Sequence, residues 1–275
     1  MESDPLFQTQ LQNALTDIGP EILSYNADEY WMIQQPYEYI EYYARERQFL
    51  NTCIALPLSR GLHDGSYRKS LLHKNNKSYK VPYVIHCLMV CRLLVDLHLP
   101  LPAEEEDIVL ASALCHDVIE DVDLPLHGRE MVTLFHLDER VYETVKRLSK
   151  RKDFTDEEHQ AYFDGIQKDR FAILIKLSDR GNNVEDLYNM SLWKAHEYVN
   201  ETRTFFYPMC DYALAHYEQL RSPLSVLQRK IRLLTEMTEI LVTRYENRES
   251  ELEAELKVLQ EENLRLRNIA ASLSH

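Results

Sequence analysis

Four side chains that bind metals or move protons, His116, Asp117, Glu120 and Asp121, fall within six residues of one another in the run Leu114-Cys115-His116-Asp117-Val118-Ile119-Glu120-Asp121. The apolar segment before them starts at Ile108, so the pattern predicts one helix over Ile108 to Asp121 with the polar cluster near its end. Adjacent helical positions lie about 100° apart, so His116 and Asp117 can reach one ion only over their shared flank. Glu120 stands one turn beyond His116, and Asp121 one turn beyond Asp117. Ligands and acid/base candidates would then share a face. A lone His-Asp pair is a weak signal, because a satisfied core histidine beside solvated carboxylates reads the same way. The fold is constrained by what must be brought to the pair from elsewhere in the chain.

Two stretches can supply it. Pro82-Tyr83-Val84-Ile85-His86 opens a helix with proline in its first turn, and Leu88, Met89, Leu93, Leu94 and Leu97 after it are core-like. The apolar segment Phe171 to Leu177 leads into Asp179, with Asn183 one turn later. His86, His116, Asp117 and Asp179 then form a set of two imidazoles and two carboxylates. Mixed donors of this kind suit Mn²⁺, Zn²⁺ or Fe²⁺ better than the all-oxygen cages of Mg²⁺ or Ca²⁺.

Glycine is scarce, six in 275 residues and none spaced as GxG, so the chain offers neither a dinucleotide-binding turn nor a P-loop. A phosphate site would have to be built from side chains and metal. The formal charge of −14 argues against nonspecific nucleic-acid binding, and a polyanionic substrate would need local positive charge. Such charge is concentrated in a loop from His63 to Lys80, with Arg68, Lys69, Lys74, Lys77 and Lys80, and in Lys146 to Lys152. Glu104-Glu105-Glu106-Asp107 reads as a solvated first turn. The five cysteines, with no CxxC spacing, read as buried free thiols. No run of about 20 apolar residues could span a membrane, and no basic start with an apolar core marks a signal peptide. The expected location is cytoplasmic.

The expected organisation is an N-terminal arm over residues 1–35, a helical domain over 36–222 and a helical segment over 223–275. Tyr37, Tyr39, Tyr42 and Tyr43 after Pro36 predict a helix covering the core, a short helix is expected near Glu130 to Phe135, and Trp193 to Tyr217 reads as one closing helix. In the last segment Ile231, Leu234, Leu241 and Tyr245 form one apolar stripe and Leu252, Leu256, Leu259 and Leu266 another, with a shift of phase near Arg248 and Asn263 at a core position of the second. A single core Asn specifies register in paired helices, so homodimerisation through 223–275 is expected.

In this order, His63-Asp64-Gly65-Ser66-Tyr67-Arg68-Lys69, the Pro82–His86 stretch, His116-Asp117-Val118-Ile119-Glu120-Asp121, Ile175-Lys176-Leu177-Ser178-Asp179-Arg180 with Asn183, and Glu201-Thr202 followed by Tyr207-Pro208 resemble a known family. It is the HD-domain metal-dependent phosphohydrolases, within them the hydrolase domain of the RelA/SpoT alarmone enzymes, and the resemblance runs from about Cys53 to Tyr207. It implies an all-α HD-domain helical bundle, here extended by a long C-terminal helix or coiled coil, that removes the 3′-diphosphate of (p)ppGpp with Mn²⁺. It implies metal ligation by His86, His116, Asp117 and Asp179, hydrolysis assisted by Glu120 and Asp121, and substrate contacts from Arg68, Lys69 and Asn183. The chain departs from the family at Cys87, where proline is usual, at Gly181-Asn182, where a bulkier pair is usual, and in a longer Ser70–Val81 segment. These departures bear on substrate identity. The alternatives are another nucleotide (a dNTP, an NMP or NADPH) or a non-catalytic alarmone-binding regulator.

Overall fold

A computed structural model describes residues 4–18, 25–74, 77–121, 132, 135–150, 154–185 and 190–273. Among these described residues the fold is all-α apart from one hairpin. The helices are α1 (Pro5–Ile18), α2 (Ala27–Arg47), α3 (Leu50–Leu62), α4 (Val84–Asp96), α5 (Ala103–Leu114), α6 (Val118–Asp121), α7 (Glu139–Leu148), α8 (Asp156–Gln167), α9 (Arg170–Asn183), α10 (Leu192–Glu201), α11 (Tyr207–His216) and α12 (Arg221–Leu273). The hairpin strands are β1 (Tyr67–Lys74) and β2 (Lys77–Pro82). No helix among the described residues is long and apolar enough to cross a membrane.

Helices α4, α5 and α9 form the centre, because their sequences are apolar on nearly every side. Leu88, Leu94, Ile108, Leu110, Ile173 and Leu174 are fully buried. Around them α2 and α3 pack on α4 and α5, α7 on α5 and α9, and α12 on α9, α10 and α11. Helix α1 contributes Phe7, Leu11 and Ala14 to the same core.

Helix α2 begins earlier than the tyrosine series at Pro36 suggests. Asn26 caps it by accepting from the Asp28 and Glu29 backbone amides, and the Glu29 side chain returns to the Asn26 amide. This reciprocal box offsets the hydrogen bond that Pro36 removes from the helix interior. Of the acidic run at the start of α5, only Glu104 is exposed as the expected solvated turn requires. Glu106 and Asp107 are buried. Glu106 accepts from Tyr43 Oη at 2.6 Å and Arg47 Nη1 at 3.2 Å. Asp107 accepts from the Asn51 and Thr52 amides at 3.0 and 2.8 Å and from Thr52 Oγ1 at 2.7 Å, satisfying the open first turn of α3 from a neighbouring helix.

Three further expectations need correction. The basic loop is a hairpin, with Tyr67 opposite Pro82 and Leu71 opposite Lys80. Three residues, 68–70, therefore face one, and this bulge carries Arg68 and Lys69. The closing helix is two helices joined by a π-helical turn over Thr202–Phe206. On α12, Leu241 and Tyr245 are exposed, and the face toward the domain is Leu224, Leu227, Ile231, Thr235, Thr238 and Val242. The threonines were hidden from an apolar count, but each hydroxyl donates to the carbonyl four residues back, Ile231 and Leu234, and so can be buried. The short helix expected near Glu130 to Phe135 falls largely outside the described residues, as do Arg151 and Lys152 and the side chains of Lys69 and Asp121.

Candidate metal centre and cavity

The expected helix over Ile108 to Asp121 does not run through. Helix α5 stops at Leu114, Cys115 to Asp117 form a turn, and α6 starts at Val118. The cause is a change of hydrogen-bond partners. The Ala113 carbonyl, which a continuing helix would offer to the Asp117 amide, instead accepts from His116 Nδ1 at 2.8 Å. The Leu114 carbonyl accepts from Ser59 Oγ of α3 at 2.6 Å. Chain direction changes there, so His116 and Asp117 need not share a flank of one helix to meet.

Because a carbonyl only accepts, His116 donates its Nδ1 proton there and turns Nε2 toward the centre. His86, at the first turn of α4, is set the same way, with Nδ1 2.7 Å from Asn182 Oδ1 of α9. The two Nε2 atoms and two carboxylate oxygens converge. His86 Nε2 lies 3.1 Å from Asp179 Oδ1 and 3.6 Å from Asp117 Oδ2. His116 Nε2 lies 3.0 Å from Asp117 Oδ2 and 3.9 Å from Asp179 Oδ1. His116 Nε2 is buried yet finds no aligned hydrogen-bond partner among the described residues.

These residues fit a divalent cation. Ligands bonded at about 2.1 Å stand roughly 3.0–3.4 Å apart around a common ion, close to most of the separations seen here, and a buried ring nitrogen turned inward without an aligned partner is what an ion would engage. His86, His116 and Asp179 present donor atoms within 4.8 Å of one another, and Cys87, His116 and Asp117 form an overlapping group. All five cysteines are free and buried, and burial pushes the Cys115 thiol up to about 12 and Cys87 well above its ordinary value. The imidazole and carboxylate set is the better donor group.

The local potential is strongly negative. Burial works against a charge on His116, but Asp117 and Asp179 outweigh it and push the imidazole up to about 9. Burial also opposes ionisation of the carboxylates, yet the neighbouring imidazoles hold Asp117 well below the usual range, and Lys176 with His86 and His116 does the same for Asp179. His63 is different, because burial dominates and lowers it to about 4.

Supporting contacts fix each carboxylate. Tyr83 Oη donates to Asp117 Oδ2 at 2.7 Å. Lys176 Nζ donates to Asp179 Oδ2 at 3.0 Å. Asn183 Nδ2 donates to Asp179 Oδ1 at 2.6 Å and accepts through Oδ1 from Arg68 Nη2 at 2.8 Å, so the hairpin is tied to the centre.

Beside the centre opens a cavity of about 860 Å³. Its wall carries the cations Arg68, Lys150, Lys176, Arg180 and Lys194 together with the carboxylates Asp117, Glu120, Asp179 and Glu201. Arg180 is held by the Glu201 carboxylate and by Thr202 Oγ1, and its guanidinium stacks 3.9 Å from the Phe206 ring. Glu120 lines the same cavity and accepts from the Lys150 amide at 3.1 Å. Of the residues singled out in the sequence, His86, His116, Asp117, Asp179, Asn183, Arg68 and Glu120 are thus brought to one place. Asn182, Tyr83 and Lys176 were missed, although each lies three residues from a ligand on the same stretch of chain.

Comparison with known proteins agrees with this geometry. Residues 83–183 match the HD domain family. This segment is similar to an HD domain. It holds the four converging side chains His86, His116, Asp117 and Asp179. The chain is 30% identical over 170 residues to a protein of Synechocystis named a probable guanosine-3′,5′-bis(diphosphate) 3′-pyrophosphohydrolase, covering 58% of this chain and 20% of that one. It is 29% identical over 160 residues to the Vibrio cholerae protein named guanosine-3′,5′-bis(diphosphate) 3′-pyrophosphohydrolase, covering 55% and 20%. The chain therefore spans about a fifth of the length of these curated relatives. A solved structure titled as a metazoan ortholog of SpoT that hydrolyzes ppGpp aligns at a TM-score of 0.47 and 22% identity, over 68% of this chain and 94% of that one.

Proposed function

We propose that this chain is a divalent-metal-dependent hydrolase that removes the 3′-diphosphate from (p)ppGpp, releasing pyrophosphate and GDP or GTP. The observation that carries the reading is the convergence of two inward-facing Nε2 atoms and two carboxylates at the edge of a nucleotide-sized cavity that carries five cationic side chains. The names of the Synechocystis and Vibrio cholerae relatives support the substrate.

His86, His116, Asp117 and Asp179 hold the ion, which we assign as Mn²⁺, with Zn²⁺ or Fe²⁺ as alternatives. When bound, such an ion supplies Lewis acidity and lowers the pKa of water at the site. The chain's residues do the rest. Arg68, Lys176 and Arg180 offset phosphate charge, with the planar guanidinium groups suited to paired phosphate oxygens. Lys69, beside Arg68 on the bulge, is assigned to the same task. Asn183 couples Arg68 to Asp179, so substrate contact and ligand position are linked. Water adds to the phosphorus esterified to the ribose, one of its protons passes to Glu120, and the departing 3′ oxygen takes up a proton, with Asp121 assisting the transfer.

The test is incubation with Mn²⁺ and ppGpp followed by phosphorus NMR, with Asp117→Asn and Glu120→Gln alongside. Pyrophosphate and GDP should appear with the wild type. Asp117→Asn should lose metal and turnover together, and Glu120→Gln should keep the metal and lose turnover. Intact ppGpp in the presence of metal-loaded wild type would overturn the substrate assignment, and full activity of Glu120→Gln would overturn its role.

A further inference from the structure

Helix α12 runs on far beyond the domain it packs against. Up to Asn268, Val242 is its last buried residue, and His196 of α10 still reaches Glu246 at 2.7 Å. From Thr243 to Asn268 every residue is exposed. Within this free stretch Leu252, Leu256, Leu259 and Leu266 are between 48% and 62% exposed. Unpaired helices hold together in water mainly by burying a face, and this one carries a ready seam.

The seam has a heptad register. Leu252, Leu259 and Leu266 occupy d positions, Leu256 and Asn263 occupy a, and Ala270 and Leu273 continue both rows in sequence. Leu at d with one Asn at a specifies two parallel strands in register, because the amide is satisfied by its own counterpart across the seam. An antiparallel partner would set Asn263 against a leucine. The flanking charges agree. In a parallel pair each g residue faces the e residue five places on in the other chain, which within 252–273 brings Glu255 to Gln260 of the second copy and Glu262 to Arg267 of the second copy. The first pair is free of like-charge repulsion and the second is attractive.

The domain leaves room for such a partner. The buried stripe Ile231, Thr235, Thr238 and Val242 lies in the same heptad frame as the leucines. A straight helix drifts about 20° per heptad against that frame, so the leucine seam is rotated by roughly 60° from the face its own domain occupies. No stutter near Arg248 is required for the two stripes to face different ways. Glu249 at an a position sets the start of pairing at Leu252.

We propose that residues 252–273 form a parallel, in-register, two-stranded coiled coil with a second copy of this chain. The homodimer contact is thereby confined to the last part of α12, and it stands or falls independently of the proposed catalytic activity. Sedimentation equilibrium of the 275-residue chain should give twice its 32.5 kDa mass, and Leu256→Asp combined with Leu259→Asp should return it to the single-chain mass with the domain's melting transition intact. Asn263→Cys should form an interchain disulfide under mild oxidation, whereas Leu264→Cys, at an outward b position, should not. A monomer throughout, a dimer that survives both Asp substitutions, a double variant that unfolds, or equal crosslinking at 263 and 264 would each overturn the proposal.

Discussion

Replacement of Asn182 by Ala should weaken metal binding without touching a ligand. In the folded protein Asn182 Oδ1 accepts the His86 Nδ1 proton at 2.7 Å, and His86 is only 3% exposed. With the acceptor gone, the ring must either keep an unsatisfied donor in the interior, which costs about 1–3 kcal/mol, or move its proton to Nε2 and lose its lone pair toward the ion. Removing such an orienting partner commonly lowers metal affinity by about 10–100-fold, or roughly 1.4–2.8 kcal/mol, and the two figures agree. Asn182→Asp restores an acceptor at the same place. The added charge falls near Glu185, which Lys230 already pairs at 2.6 Å, so this variant should bind within a few-fold of the wild type. Calorimetric Mn²⁺ titration of all three proteins at one pH measures the effect, and the pH must be common because His116, pushed up to about 9, gives up a proton on ligation. If Asn182→Ala bound as tightly as the wild type, or if Ala and Asp were equally impaired, hydrogen-bond orientation of His86 would not be what holds the site.

Other outcomes follow from the same geometry. His63 is lowered to about 4 by burial, against about 6.5 unfolded. The folded state therefore binds fewer protons between these values, and its contribution is present above pH 6.5 and lost as pH falls toward 4. That loss approaches roughly 3 kcal/mol, so urea midpoints between pH 7 and 4 should fall more steeply for the wild type than for His63→Gln, and parallel curves would refute it. Trp193 is 71% exposed at the cavity wall, and Trp31 is the other tryptophan. In a Trp31→Phe protein, ppGpp binding should change the remaining fluorescence, and an unchanged spectrum at saturation would place the nucleotide away from Trp193.

How much of this was legible in the sequence depends on how locally each feature is determined. The helical class and the convergence of His86, His116, Asp117 and Asp179 were legible because they rest on apolar periodicity and on the scarcity of reasons to place His or Asp within it. The interruption of α5 at Cys115 was not, since Leu114-Cys115-His116 contains no helix breaker and the change depends on Ser59, which comes from another helix. The hairpin was missed because Tyr67-Arg68-Lys69-Ser70-Leu71-Leu72 does not alternate, and its bulge explains why it need not. Glu106 and Asp107 looked solvated because their partners, Tyr43, Arg47, Asn51 and Thr52, come from α2 and α3. Asn182, Tyr83 and Lys176 were accessible in principle. Each stands three residues from a ligand, where a helix or its first turn brings side chains onto one face.

The contacts between α3 and α5 have an electrical consequence. Thr52 near the start of α3 meets Asp107 near the start of α5, and Ser59 near the end of one meets Leu114 at the end of the other. The two helices therefore run parallel, side by side, with their peptide dipoles aligned, an arrangement in which like ends repel. Both carbonyl ends, each equivalent to about half a negative charge, point toward the turns that carry His63 and His116-Asp117. A cation at the centre would relieve that repulsion as well as neutralise the carboxylates. The backbone thus takes part in the attraction for the ion, and a substitution that loosens α3 from α5 should be felt at the metal even though it alters no ligand.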